Sequence, residues 1–120
     1  MVTPRAILTS LLVVMLVLSG CAGRVPVLDY TTLDDRVSPE VIEIWDSHRE
    51  VLVRAIKEQK FTIQEFESAL RFFEKTTGLP GHPQPTRYGM LPGNRLTEDL
   101  EAWDDWFRLN GVKLHAEELT

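Results

Sequence analysis

The sequence has only one cysteine, Cys21, so no disulfide can form within a chain. Basic residues are also scarce, because 13 Lys and Arg face 18 Asp and Glu for a net charge of −5. Nucleic acids and anionic lipid surfaces are normally bound by a basic patch, so this balance argues against both as ligands. The fold must therefore be stabilised by packing of its apolar residues.

Motifs of nucleophilic, phosphate-binding and metal-dependent enzymes are absent as well. There is no Gly-x-Ser-x-Gly, and the Pro-Gly-Asn at residues 92–94 lacks the Lys-Ser/Thr of a P-loop. No two of His48, His82 and His115 have the i, i+4 spacing of a zinc-binding helix. The sequence predicts no metal, no cofactor and no catalytic residue, and we expect a protein that is not an enzyme.

What the sequence does contain is an apolar run at its N-terminus. Arg5 is followed by an uncharged stretch over residues 6–18. A positive flank and a short apolar run are the layout of a secretory signal. A membrane-spanning helix needs about 20 apolar residues, so this stretch is short for a permanent anchor. We predict a signal peptide over residues 1–20.

The apolar run closes with Leu18-Ser19-Gly20-Cys21. This tetrapeptide resembles the lipobox of bacterial lipoproteins. The resemblance implies cleavage between Gly20 and Cys21 and a diacylglyceryl group on the Cys21 thiol, so acyl chains would hold the protein on a membrane of the cell envelope. Ala22 at the next position implies the outer membrane in a Gram-negative organism. Ordinary signal cleavage, an uncleaved anchor and a buried cysteine are the alternatives.

The segment after the cleavage site shows no sustained periodicity. We interpret residues 21–37 as the lipidated cysteine followed by a tether, whose scattered apolar residues could dock or add a short strand. Fully extended, such a segment would reach at most ~50–58 Å and would let the domain stand clear of the bilayer. The remaining length suits one domain.

Three later segments repeat apolar residues at intervals of three and four, which is typical of amphipathic helices. The predicted helices run over residues 38–59, 62–77 and 97–110. They predict a small all-α domain of three helices over residues 38–111. The tail over residues 112–120 is expected to fray.

Each predicted helix has a start signal. Ser38 is a suitable N-cap, and Pro39 suits the first helical position. Thr62 and Glu65 have the spacing of a capping box. Thr97 is the expected N-cap of the third helix.

Between the second and third helices lies a long loop, residues 78–95, rich in Gly and Pro. Its prolines restrict the backbone, so we expect an ordered loop, which loses little entropy on binding. Its centre carries Tyr, Met and Arg, which are enriched at protein interfaces. The predicted partner-binding residues are Arg87, Tyr88, Met90, Leu91 and Arg95. The alternative is a loop whose apolar side chains cover the core of its own domain.

The third helix carries a dense group of carboxylates. We interpret them as the solvated face of the helix, and a cation site or a catalytic acid pair is the alternative. The group consists of Glu98, Asp99, Glu101, Asp104 and Asp105.

Three tryptophans, Trp45, Trp103 and Trp106, fall on or beside apolar faces. We expect at least two of them in the core, with a ligand groove as the alternative. Three functional hypotheses follow: an envelope lipoprotein that binds a protein partner through loop 78–95, a binder of a small apolar or aromatic ligand between tryptophans, and an enzyme that uses the carboxylates of the third helix.

Overall fold

The computed structural model describes residues 24–120. The predicted signal peptide, the Gly20–Cys21 cleavage site and the lipidation site Cys21 lie outside the described residues. The described part is mostly helical, as predicted, with one very small sheet. No helix within residues 24–120 combines the length and apolar character needed to cross a bilayer.

The elements follow one another along the chain with short connections. The helices are α1 (Pro39–Ile56), α2 (Ile63–Thr77), α3 (Leu96–Asn110) and a short α4 (Ala116–Leu119). Strands β1 (Gln84–Thr86) and β2 (Gly89–Leu91) form an antiparallel pair between α2 and α3. Single 3-10 turns lie at Tyr30–Thr32 and Gly111–Lys113.

Helix α1 ends at Ile56, earlier than the predicted Gln59. The cause is a left-handed residue, Glu58, with φ 57°. The Glu58 N–H donates to the Ala55 carbonyl at 3.2 Å, and the Gln59 N–H donates to the Arg54 carbonyl at 2.8 Å. These two hydrogen bonds form a Schellman motif, which ends a helix and usually has glycine at the left-handed position.

Helix α2 begins as predicted. Thr62 caps it by accepting a hydrogen bond from the Glu65 N–H at 3.1 Å, and Phe61 packs on Phe66 with ring centroids 5.9 Å apart. The starts of the other two helices differ slightly from the prediction. Ser38 donates to the Glu40 carboxylate instead of capping α1. Helix α3 begins at Leu96, one residue before the predicted cap Thr97.

The C-terminal tail does not fray as expected. After the turn at Gly111–Lys113 the chain forms α4, which packs against α1. Leu114, Ala116 and Leu119 are partly buried against the core. These apolar side chains give the tail a face to bury, which is what holds it in place.

The core is a stack of aromatic rings that joins the three long helices. Trp45 of α1 stacks on Phe107 of α3 with centroids 4.2 Å apart, and Phe73 of α2 stacks on Trp103 at 5.1 Å. Trp45 and Trp103 are fully buried, as expected of core residues, and Trp106 is half-buried. The faces of the two buried rings are covered by protein, so they do not line a ligand groove.

A buried ion pair joins α1 to α3 beside this stack. Arg49 Nε donates to Asp104 Oδ1 at 3.1 Å, and Arg49 Nη2 donates to Oδ2 at 3.0 Å. Trp45 Nε1 lies 3.5 Å from the same carboxylate. Burial raises the pKa of Asp104, and the guanidinium of Arg49 opposes that shift. Asp104 is 0% exposed, so its assignment to a solvated face was wrong.

The segment before α1 is packed against the domain. Its side chains Leu28, Leu33 and Val37 are buried in the core, so the expected docking of its apolar residues does occur. Arg49 also donates to the Pro26 carbonyl, which fixes the segment to the ion pair. Residues 24–37 therefore pack as part of the domain, so the predicted tether is wrong over this part. Residues 21–23 of the predicted tether lie outside the described residues.

Replacement of Arg49 by Met should destabilise the fold by about 3–5 kcal/mol, because it leaves the buried Asp104 carboxylate without its partner. The double variant Arg49→Met/Asp104→Leu should recover most of that loss, since no charge is then left unpaired. Urea unfolding of both variants measures this. If Arg49→Met lowers the free energy of unfolding by less than about 1 kcal/mol, the pair behaves as a surface salt bridge and does not stabilise the interior.

Replacement of Glu58 by Gly should raise the free energy of unfolding by about 1 kcal/mol, because a side chain at a left-handed position costs about that much. Glu58→Ala removes the same charge but keeps Cβ, so it is the matched control. Thermal unfolding of the two variants compares them directly. Equal midpoints would contradict the proposed strain at this position.

Candidate functional site: a clamped hairpin

The centre of loop 78–95 folds into a tight hairpin. Thr86 pairs with Gly89 across a two-residue turn formed by Arg87 and Tyr88. The Thr86 hydroxyl donates to the Gly89 carbonyl at 2.7 Å and accepts from the Tyr88 N–H at 3.2 Å. Gly89 has φ 131°, and a Cβ there would lie 2.2 Å from Glu67 Oε1, so this position requires glycine.

Neither edge of the hairpin is free to pair with another strand. Residues next to a two-residue turn form the hydrogen-bonded pair, so the peptide groups of the next pair, Pro85 and Met90, point outward. Pro85 has no N–H to offer. The Met90 N–H already donates to Glu67 Oε1 at 3.1 Å. A strand added at either edge would find no backbone N–H to bond at this pair, so we expect a partner to be recognised by side chains.

The base of the hairpin is clamped by side chains from α2 and α3. Glu74 of α2 accepts the Gly81 N–H at 2.9 Å. Trp103 of α3 donates its indole N–H to the Leu79 carbonyl at 3.0 Å. These contacts satisfy backbone groups that have no partner in a helix or sheet, so they hold the loop in one conformation.

Asp99 of α3 holds the loop with both of its carboxylate oxygens. Its Oδ2 accepts the His82 N–H at 2.7 Å, and its Oδ1 lies 2.7 Å from His82 Nδ1. Asp99 is only 6% exposed, so it is the second carboxylate wrongly assigned to a solvated face. Because both carboxylate oxygens are used on one residue, Asp99 fixes the position and the ring of His82 together.

The five predicted partner-binding residues fall into two groups. Arg87, Tyr88 and Met90 lie together at the hairpin, where Tyr88 is 77% and Met90 39% exposed. We call these three residues the hairpin tip. Leu91 is half-buried, and Arg95 lies at the start of α3 with its Nε 3.2 Å from Glu98 Oε2.

Leu91 lies on the opposite face of the hairpin, where it borders a groove of about 580 Å³. The groove lies between the end of α1, the hairpin and the start of α3. Its apolar wall consists of Ile56, Phe61, Leu91, Pro92 and Leu96. Leu91 thus packs against its own domain. This agrees with the alternative interpretation, in which apolar side chains of the loop cover the core.

Asp99 orients the His82 ring, as a carboxylate does for a catalytic or metal-binding histidine. The same carboxylate also accepts the His82 backbone N–H, so we interpret the pair as a structural contact that holds the loop. Within residues 24–120, no three His, Cys, Asp or Glu side chains come together as a metal site would require. Comparison of the chain with protein-family models, curated proteins and solved structures gave no match. The clamped hairpin is consequently interpreted from its own residues.

Replacement of Asp99 by Ala should loosen the base of the hairpin. A buried hydrogen bond to a charged group contributes about 1.5–3 kcal/mol, so the His82 amide should exchange its hydrogen roughly 10–100 times faster. Hydrogen exchange followed by NMR measures this. Glu98→Ala, next to it but exposed, is the control. Unchanged exchange at His82 in Asp99→Ala would show that Asp99 does not hold the loop.

Proposed function

We propose that this protein is a non-enzymatic lipoprotein of the cell envelope that binds a protein partner through its hairpin tip. The observation that carries this proposal is the 77% exposure of Tyr88 on a turn held by side chains from two helices. A rigid loop that presents an aromatic side chain to solvent is the arrangement expected of a contact site.

The energetics of the hairpin tip favour binding. Tyr and Arg are over-represented among the residues that contribute most to protein interfaces, and Arg87 directly precedes Tyr88. Clamping by Glu67, Glu74 and Asp99 fixes the backbone before any partner arrives. Binding then costs less conformational entropy than it would for a mobile loop.

The geometry also defines the chemistry of the partner surface. Because both hairpin edges are blocked, the partner does not add a strand to the sheet, which is one common mode of peptide recognition. It should instead offer an apolar pocket for the Tyr88 ring with acidic groups at its rim for Arg87. Met90 can adapt to an irregular pocket wall because its side chain is flexible.

The proposed anchor supplies the location. With diacylglyceryl on Cys21 and an acylated amino terminus, several chains would enter the bilayer at roughly 0.8 kcal/mol per methylene, which holds a protein firmly. The Ala22 position supports the outer membrane if the organism is Gram-negative. The partner would accordingly be another protein of the envelope.

A photo-crosslinking amino acid in place of Tyr88 tests the proposal in native envelopes. We expect one adduct of defined mass at position 88 and none with the same probe at Glu50, an exposed position on α1. Arg87→Ala should reduce the yield about tenfold, the typical effect of losing an interface arginine. Thermal stability should be unchanged, because these side chains are exposed.

Equal labelling from positions 88 and 50, or a yield insensitive to Arg87→Ala, would contradict the hairpin tip as the contact. A small apolar ligand is the second candidate, and the apolar groove beside Leu91 is the observation that favours it. Extraction of such a ligand with the purified protein, together with no adduct at position 88, would support that candidate instead.

A further inference from the structure

The first described residues lie along helix α3. Residues 24–27 and α3 enclose a shallow groove of about 330 Å³. The α3 residues that line it include Thr97, Glu101, Asp105 and Arg108. Arg24, the first described residue, is therefore exposed and lies beside the solvent-facing side of α3.

Contacts on both sides of Val27 fix this segment. Arg49 donates to the Pro26 carbonyl, and Arg108 Nη2 donates to the Val27 carbonyl at 2.8 Å. The next side chain, Leu28, is buried in the core. The Val27 side chain itself is 81% exposed, so the segment shows an apolar group to its surroundings while its backbone is held.

This position limits how far the domain can lie from its anchor. Three peptide steps separate Cys21 from Arg24, which span at most about 10–11 Å even when fully extended. The proposed acyl chains would hold Cys21 at the bilayer surface. Resting on that proposed lipidation, we propose that the domain sits directly on its membrane through one face. This anchor face consists of Arg24, Val27, Glu101, Asp105 and Arg108.

The chemistry of the anchor face suits a lipid headgroup layer. Two arginines balance the carboxylates of Glu101 and Asp105, and the third carboxylate at this groove, Asp104, is paired with the buried Arg49. The whole chain, by contrast, has a net charge of −5. A balanced surface is not repelled by anionic headgroups as an acidic one would be. Arginine side chains can also extend along the interface, with the apolar Val27 between them. The occupant of this face is therefore the membrane that carries the anchor.

A close placement also limits the partner. With no long tether between the anchor and the domain, the hairpin tip would stay within the height of one small domain above the bilayer. A flexible tether would instead allow the hairpin tip to reach partners much farther from the membrane surface. The partner of the hairpin tip should thus be a protein whose contact site lies near the same membrane surface.

The full acylated chain in vesicles of phosphatidylethanolamine and phosphatidylglycerol provides the test. Because acylation blocks the thiol of Cys21, one new cysteine can carry a fluorophore without a competing site. Val27→Cys and Glu101→Cys label the anchor face, and Ser68→Cys labels the exposed side of α2 as the control. Lipids with a nitroxide on the headgroup serve as the quencher.

We expect quenching at positions 27 and 101 to be several-fold stronger than at position 68. Equal, weak quenching at all three positions would overturn the proposal and indicate a domain that moves freely on a longer tether. Stronger quenching at position 68 would overturn it by showing that α2 faces the bilayer.

Mass spectrometry of the same samples separates this proposal from the one on which it rests. Acyl groups on Cys21 together with equal quenching would reject the placement and keep the anchor. An unmodified Cys21 in protein recovered from envelopes would reject both. Acylated protein with strong quenching only at positions 27 and 101 supports both.

Discussion

The buried pair of Arg49 and Asp104 connects helix α1 with helix α3 and with the segment before α1. A guanidinium and a carboxylate taken out of water must satisfy each other and their remaining hydrogen-bonding groups. Here Asp104 accepts from Arg49 and lies close to the Trp45 indole, while Arg49 has donor capacity left for the Pro26 carbonyl. Helix α1, helix α3 and the segment before α1 therefore meet at one point. The two helices cannot separate without leaving a buried charge unpaired, and loss of the segment would leave a guanidinium N–H without its partner.

The same principle organises the hairpin at a smaller scale. Glu67, Glu74 and Asp99 use their carboxylates to accept backbone N–H groups of a loop that has little secondary structure. Charge-assisted hydrogen bonds of this kind are stronger than neutral ones. A small domain without a disulfide can in this way keep a long Gly/Pro loop in one conformation. Part of the acidic composition thus has a structural task instead of a solvent-facing one.

The sequence predicted the helices well because periodicity and end signals agree there, as the capping box of Thr62 shows. Asp99 and Asp104 were misassigned although the signal was present: each lies three or four residues from Leu100, Trp103 or Phe107, on the buried face of α3. Their charge favours solvent and their spacing favours the core. The buried position is stable because Arg49 and the His82 N–H satisfy the two carboxylates. The packing of residues 24–37 could not be predicted, because their apolar residues show no regular spacing. An irregular segment is held by tertiary contacts, and these leave no local pattern in the sequence. The left-handed Glu58 likewise had no sequence signal, because glycine is the usual residue there.

Rigidity links the two proposed surfaces. From Arg24 the chain runs through the bonded carbonyls of Pro26 and Val27 to the Arg49–Asp104 pair, and α3 continues from Asp104 back to Asp99, which holds the base of the hairpin. Every step on this path is a hydrogen-bonded contact or a helix turn. If the anchor face rests on the bilayer as proposed, this path would fix the height and direction of Tyr88 relative to the membrane. Such a fixed geometry lowers the entropy lost when a membrane-bound partner is met, and it would restrict binding to partners that present their site at a matching distance from the bilayer.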